Sequence, residues 1–402
     1  MPRGLRNLLF VLLLLCGLGR LGLPLADPED PDLVRTRLSV SEILGGSPVD
    51  GFARALKPRP FAFPLDHGPH LDYRTEWWYL TGNLMGSNGE LYGFQFTIFR
   101  SALDPEAPSG GSPWATNQVY MGHLALTDLG SRTFDAFERF SRGAQGLAGS
   151  QAEPFRVWLE DWVLEGRGDG LFPLRLAASE GDRGLSLVLT PEKPLVLQGD
   201  EGHSQKGPEA GNASFYYSYT RLATTGTVTV EGREVPVQGT AWFDREWSTS
   251  AISGNQVGWD WFALQLSDGR DLMYYQIRRA DGSPDPLSKG VLVDGQGGVT
   301  NFGSELLELE VRESWESPED GTLYPSRWCL AIPEEDIKLE VTPLIPNQEL
   351  NLTFRYWEGA VAVRGTANGT SVEGRGYVEL TGYADNQGRI GARPIRRGTS
   401  RL

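Results

Sequence analysis

From Glu76 to about residue 385, apolar and polar positions alternate in short runs instead of recurring every three or four residues. A period of two predicts β-strands. The runs are separated by turn-forming pairs, among them Asn88-Gly89, Asp268-Gly269 and Asp281-Gly282, which read as hairpin turns between antiparallel strands. The run at 91–100 is informative because Phe94, Phe96, Ile98 and Arg100 share one face while Gln95, Thr97 and Phe99 share the other. Neither face is purely polar, which favours strands curled around an interior; a sandwich fits almost as well.

Two stretches break the pattern. Residues 33–57 place Leu, Val, Ile and Arg at roughly helical spacing until Pro58, Pro60 and Pro64 stop any helix, so 27–60 reads as a partly helical linker. Residues 1–26 carry Arg3 and Arg6, an apolar run from Leu8 to Leu15 and a small-residue end at Ala26, the pattern of a secretion signal. An exported protein, periplasmic or secreted, is the expectation, with no transmembrane span in the mature chain. Cys16 follows Leu15, whereas lipid-modified cysteines usually follow a small residue, so lipid anchoring there is not expected.

The two halves echo each other. Leu91-Tyr92-Gly93-Phe94-Gln95-Phe96 matches Leu272-Met273-Tyr274-Tyr275-Gln276-Ile277 as Leu-x-x-aromatic-Gln-apolar, and a tryptophan-rich strand precedes each copy. Duplication predicts an all-β chain of two consecutive barrels, 61–235 and 236–388, with a flexible tail at 389–402. Each half is long enough to close eight strands around one ligand.

Composition supports the all-β reading through 50 glycines, 12 tryptophans, 13 tyrosines and 17 phenylalanines among 402 residues. A formal charge of −15 repels phosphate backbones and makes nucleic acid an improbable partner. Removal of the leader leaves Cys329 alone, so packing and not disulfides must hold the fold. There is no nucleophile elbow, no phosphate-cradling glycine loop and no Cys-x-x-Cys pair, and no cofactor is called for.

Several segments resemble the AttH-like proteins, relatives of the carotenoid 1,2-hydratases. They are 63–70 (Phe63-Pro64-Leu65-Asp66-His67-Gly68-Pro69-His70), 76–83, 93–100, 139–143, 154–158, 239–247 and 258–262, within a match covering about 60–385. The resemblance implies two lipocalin-like barrels and, in the hydratase branch, addition of water to a carbon–carbon double bond of an isoprenoid chain. It also implies an association with ABC-type envelope transporters in many members.

Alkene hydration needs a desolvated acid, and a carboxyl among aromatic rings can serve. Asp244, among Trp242, Phe243 and Trp247, and Asp260, between Trp259 and Trp261, are the candidates, with Tyr79 or Trp247 as cation-stabilising neighbour. Alternation puts Trp242, Asp244 and Glu246 on one face, Phe243, Arg245 and Trp247 on the other, and Asp260 in the more apolar company of Phe262, Leu264 and Leu266. The structural alternative ties Asp244, Arg245 and Glu246 into an ion-paired cluster and pairs Asp260 with an arginine. For binding, Trp77, Trp78, Tyr79, Phe94, Gln95, Trp242, Trp259 and Trp261 are candidate lining. His67, His70, Glu76 and His123 are polar candidates; Asp66, His67, His70 and Glu76 invite a metal reading, set aside because a third firm ligand such as His123 would have to come from elsewhere.

These observations favour a carrier of a small hydrophobic, lipid- or isoprenoid-like molecule. A hydro-lyase acting through a buried aspartate is the alternative, and a non-catalytic envelope scaffold, which predicts filled barrels, is the third reading.

Overall fold

A computed structural model describes residues 50–109, 111–168, 170–250 and 255–384. The leader, Cys16, most of the linker and the 389–402 tail lie outside these. Residues 50–60, the described part of the expected helical linker, contain no helix. Regular helix among the described residues is confined to the 3₁₀ turns Leu65–His67, Ser304–Leu306 and Pro333–Glu335. No helix there is long and apolar enough to cross a membrane.

The strands form two antiparallel, barrel-like sheets, thirteen strands in the first and ten in the second. Each half is seeded by the hairpin that its turn pair predicts. Thr75–Gly86 pairs with Leu91–Ala102 across Asn88-Gly89, and Gln256–Leu266 pairs with Asp271–Arg279 across Asp268-Gly269. Gly89 and Gly269 adopt φ of 82° and 89°, a left-handed conformation that costs glycine nothing.

The sheets change over later than the sequence suggests. Arg233–Ser250 pairs with both Thr75–Gly86 and Ala213–Val230, so the first barrel runs through residue 250 instead of ending at 235. The second begins at Gln256. The echo is also one residue out of step: Gln95 lies six residues beyond Gly89, Gln276 seven beyond Gly269. In a strand that slip flips the face. Gln95 stands opposite Thr81, whereas Gln276 stands opposite Asp260.

Both barrels are filled. Trp78, Leu80, Phe94, Phe96, Phe243 and Trp247 belong to a continuous core in the first. Phe262, Leu264, Trp328, Leu339 and Trp357 do so in the second. The expected ligand cavity inside a barrel is therefore absent among the described residues, and the space is taken by large side chains at ordinary interior packing.

The outer faces of the two barrels pack on each other. Tyr79, Tyr216 and Trp242 from the first meet Trp261, Met273, Tyr275, Ala360 and Tyr377 from the second in a third apolar cluster. Contact is close enough that a Cβ on Gly93 would fall 2.5 Å from that of Ala360. Polar links fasten the rim: the Asn83 amide donates to the Gly376 carbonyl (3.0 Å), Thr127 to Gln348 (2.7 Å) and Thr220 to Asp271 (2.8 Å). Strands such as Leu91–Ala102 are consequently buried on both faces, which is why their sequence shows no polar side.

A candidate active site between the barrels

The junction does not close completely. Between the barrels lies a pocket with a cavity volume of about 80 Å³, walled by Trp77, Tyr79, Phe99, Trp259, Trp261 and Tyr275. Four acids line it: Asp244 and Glu246 from the first barrel, Glu358 and Glu379 from the second. Strand alternation delivers them. Asp244 stands opposite Tyr79, and Glu246 opposite Trp77. Glu358 of Arg355–Ala367 is the direct antiparallel partner of Glu379 of Thr370–Leu380, and Glu379 stands opposite Trp261 on its other side.

Asp244 is buried and saturated with donors. Ser218 (2.5 Å) and the Trp242 indole N–H (2.7 Å) donate to Oδ1, and the Tyr216 hydroxyl to Oδ2 (2.6 Å). Burial outweighs these hydrogen bonds and pushes the carboxyl up to about 7. Glu246 differs, because Lys206 and Ser214 both donate to it. Lys206 also sits over the Tyr216 and Tyr275 rings, 5.2 and 5.3 Å from their centroids.

Among the described residues no cation forms an ion pair with Glu358 or Glu379, although the Lys206 charge draws Glu379 down in part. Burial raises both, Glu379 to about 8 and Glu358 well above the usual glutamate range, where the Glu379 charge adds to the effect. Both Glu358 oxygens are buried and no close hydrogen bond holds them. A pocket with this make-up can present un-ionised carboxylic acids to an apolar guest near neutral pH.

The expected site residues separate into three groups. Trp77, Tyr79, Asp244, Trp259 and Trp261 line the pocket. Trp242, Gln95 and His123 stand just behind it: Trp242 donates to Asp244, Gln95 to Thr97 (2.5 Å), and the His123 Nδ1 meets the Tyr356 hydroxyl at 2.7 Å. Burial lowers the His123 pKa, and Glu138, 3.7 Å from Nε2, only partly offsets this.

The third group lies elsewhere. Trp78, Phe94 and Trp247 point into the filled first barrel, because alternation turns them away from Trp77, Tyr79 and Asp244. His67, His70 and Glu76 join the same side. Glu76 is held by Arg100 and Arg245, His70 stacks on Trp247 with centroids 3.7 Å apart, and His67 Nδ1 meets the Tyr217 hydroxyl at 2.7 Å. Asp66 is paired with Arg59 at 2.8 Å, and among the described residues no group of three or more His, Cys, Asp or Glu could hold a metal ion.

Asp260, expected in the more apolar company, faces the second barrel, paired with Arg278 (2.9 Å) and the Tyr383 hydroxyl (3.0 Å). It does not line the pocket. The ion-paired alternative thus holds for Asp260 and fails for Asp244, whose neighbour Arg245 points to the opposite face. Glu358 and Glu379 escaped the sequence reading, although their signal was the one used for Asp244: an acid flanked at alternate positions by aromatics, as in Tyr356-x-Glu358 and Tyr377-x-Glu379.

Fold and site together define a two-barrel β-protein with a ring-walled, acid-lined pocket at the barrel junction. Its residues 54–383 match the AttH-like family, and the chain belongs to that family. A crystal structure of an AttH from Nitrosomonas europaea is 36% identical, with a TM-score of 0.73, covering 83% of this chain and all of that one. Kievitone hydratase of Fusarium solani subsp. phaseoli is 22% identical over 333 residues, 80% of this chain and 86% of the relative. The crystal structure of kievitone hydratase from Nectria haematococca shares the fold at 15% identity and a TM-score of 0.61, covering 82% of this chain and 98% of that one.

Proposed function

We propose that this protein is a hydro-lyase that adds water across a carbon–carbon double bond of an apolar, isoprenoid-like molecule held between its two barrels. The observation that carries this is the pocket itself, where burial among aromatic rings keeps the Glu358 and Glu379 carboxyls from ionising at neutral pH. Similarity to a hydratase supports it. A carrier needs the rings but not the acids, which burial makes costly to retain, so conversion displaces the carrier reading that the sequence alone favours. Filled barrels meet the expectation for a scaffold, yet a scaffold gives no account of the open, acid-lined junction.

The chemistry follows from the lining. An acid O–H breaks as its proton joins one alkene carbon, and the π pair becomes the new C–H bond. The cation left on the other carbon is stabilised by the faces of Tyr79, Trp259 and Trp261. Water attacks that carbon, and a carboxylate takes the proton that the oxygen sheds. Asp244, poised near neutrality and held by three donors, suits the accepting role.

Incubation with kievitone and with geraniol in H₂¹⁸O tests this. A product carrying one labelled water is expected, with Trp261→Ala slowing its formation about tenfold or more. Retention of either probe with no labelled product would identify a carrier.

A further inference from the structure

We propose that Glu358, opposed to Glu379, carries the proton that protonates the alkene, while Asp244 receives the proton released by the adding water. The assignment rests on the hydratase reading above and names the groups that perform it.

Topology makes the pair. The two residues face each other across adjacent antiparallel strands with both side chains on the pocket side. Directly opposed residues sit about 5 Å apart at Cβ, and like charges there repel. Among the described residues no arginine or lysine pairs with either, and Lys206, the cation lining the pocket, is engaged by Glu246 and only partly offsets the upward shift of Glu379. Two carboxyls in that position relieve the repulsion when one of them stays protonated, the logic by which paired acids elsewhere divide their titrations. The upward shifts of both groups agree with this geometry.

Hydrogen bonding separates donor from acceptor. Glu358 is fully buried and no close hydrogen bond holds its oxygens, the Tyr79 hydroxyl being the polar group that faces it, so an acid O–H there is free to turn to a guest. Leaving such a group unsatisfied is costly, and natural cores rarely do so without a use. Asp244 is the reverse: three donors already occupy its oxygens, an arrangement that stabilises a carboxylate and leaves no oxygen free to present a proton.

The proton balance closes. The pair loses one proton to carbon, water supplies hydroxyl to the cation and its second proton to Asp244, and exchange through solvent at the pocket mouth returns Asp244 and the pair to their starting states. The net change is one water added.

Glu358→Gln and Glu379→Gln, which keep size and hydrogen-bonding capacity, provide the test. Three quantities are read: labelled-water incorporation into kievitone and geraniol, quenching of tryptophan fluorescence by the same probes, and the infrared C=O stretch of un-ionised carboxyls at neutral pH. Each substitution is expected to slow hydration about 100-fold or more while changing probe binding less than about threefold. Each is also expected to diminish a carboxyl band present in the native protein. Hydration at native rates in both variants, or a native protein without that band, would overturn the assignment. A native protein whose band each substitution diminishes, yet which hydrates neither probe, would defeat the hydratase reading and uphold the protonated pair.

Discussion

Glu76 and Glu358 are the same residue type, equally buried, on either side of one barrel wall, and they ionise in opposite directions. Glu76 points into the first barrel between Arg100 and Arg245. Burial alone would raise its carboxyl, but the two guanidiniums outweigh that and hold it far below the usual range. Glu358 points into the junction, where the charge acting on it is that of another glutamate, and burial wins. Depth therefore does not set the charge of a buried acid; the sign of what faces it does. The first arrangement locks structure, since charge, cations and backbone carbonyls are mutually satisfied. The second keeps a proton available.

Removing the lock is expected to have the largest effect. Arg245→Met leaves Glu76 with one cation and frees the Gly68 carbonyl that Arg245 now bonds at 2.6 Å. A buried pair broken from one side costs about 3–5 kcal/mol, to be read from urea unfolding. An unchanged midpoint would show that the network is not structural.

The pocket acids predict a pH dependence of opposite sign. Asp244 binds its proton more tightly folded than unfolded, so its contribution is fully present below about pH 4 and is lost as pH rises through about 7. Three units correspond to roughly 4 kcal/mol at most. Stability should fall from pH 5 to pH 8, and Asp244→Asn should flatten that slope; a slope equal in the two proteins would place the titration elsewhere. Glu76 acts the other way, stabilising above its unfolded value near 4.5 and losing that contribution only as the solution becomes strongly acid.

The smallest change probes the junction. Gly93→Val places new atoms against Ala360 and should cost about 1–3 kcal/mol, measured by thermal unfolding. Its further signature is altered probe binding in the pocket, while the Glu76 network inside the first barrel is untouched. Unaltered binding would mean that the two barrels yield to the added bulk without moving the pocket walls.

Much of the fold was legible. Alternation predicted strands, the Asn-Gly and Asp-Gly pairs predicted the two seeding hairpins, and the separation of Asp244 from Arg245 onto opposite faces followed from a period of two. The mixed faces of 91–100 carried a true signal given the wrong cause. Neither face is polar because one fills a barrel and the other meets the second barrel, a distinction that alternation cannot make. The boundary at 235 failed because it rested only on giving each half one copy of the echo, and the long strand Arg233–Ser250 continues across it to complete the first sheet.

The candidate site was half legible for the same reason. An acid among aromatics marks a buried carboxyl, and the sequence supplied Asp244, Tyr79, Trp77, Trp259 and Trp261 on that basis. Whether such an acid meets an arginine or another acid depends on cross-strand register and on which outer faces of the barrels pack together, both set by contacts between residues far apart in the chain. Local sequence determined which side chains leave the solvent. Only the tertiary arrangement decided that Asp260 would find Arg278, that Glu358 would find Glu379, and that the open space would lie between the barrels and not within them.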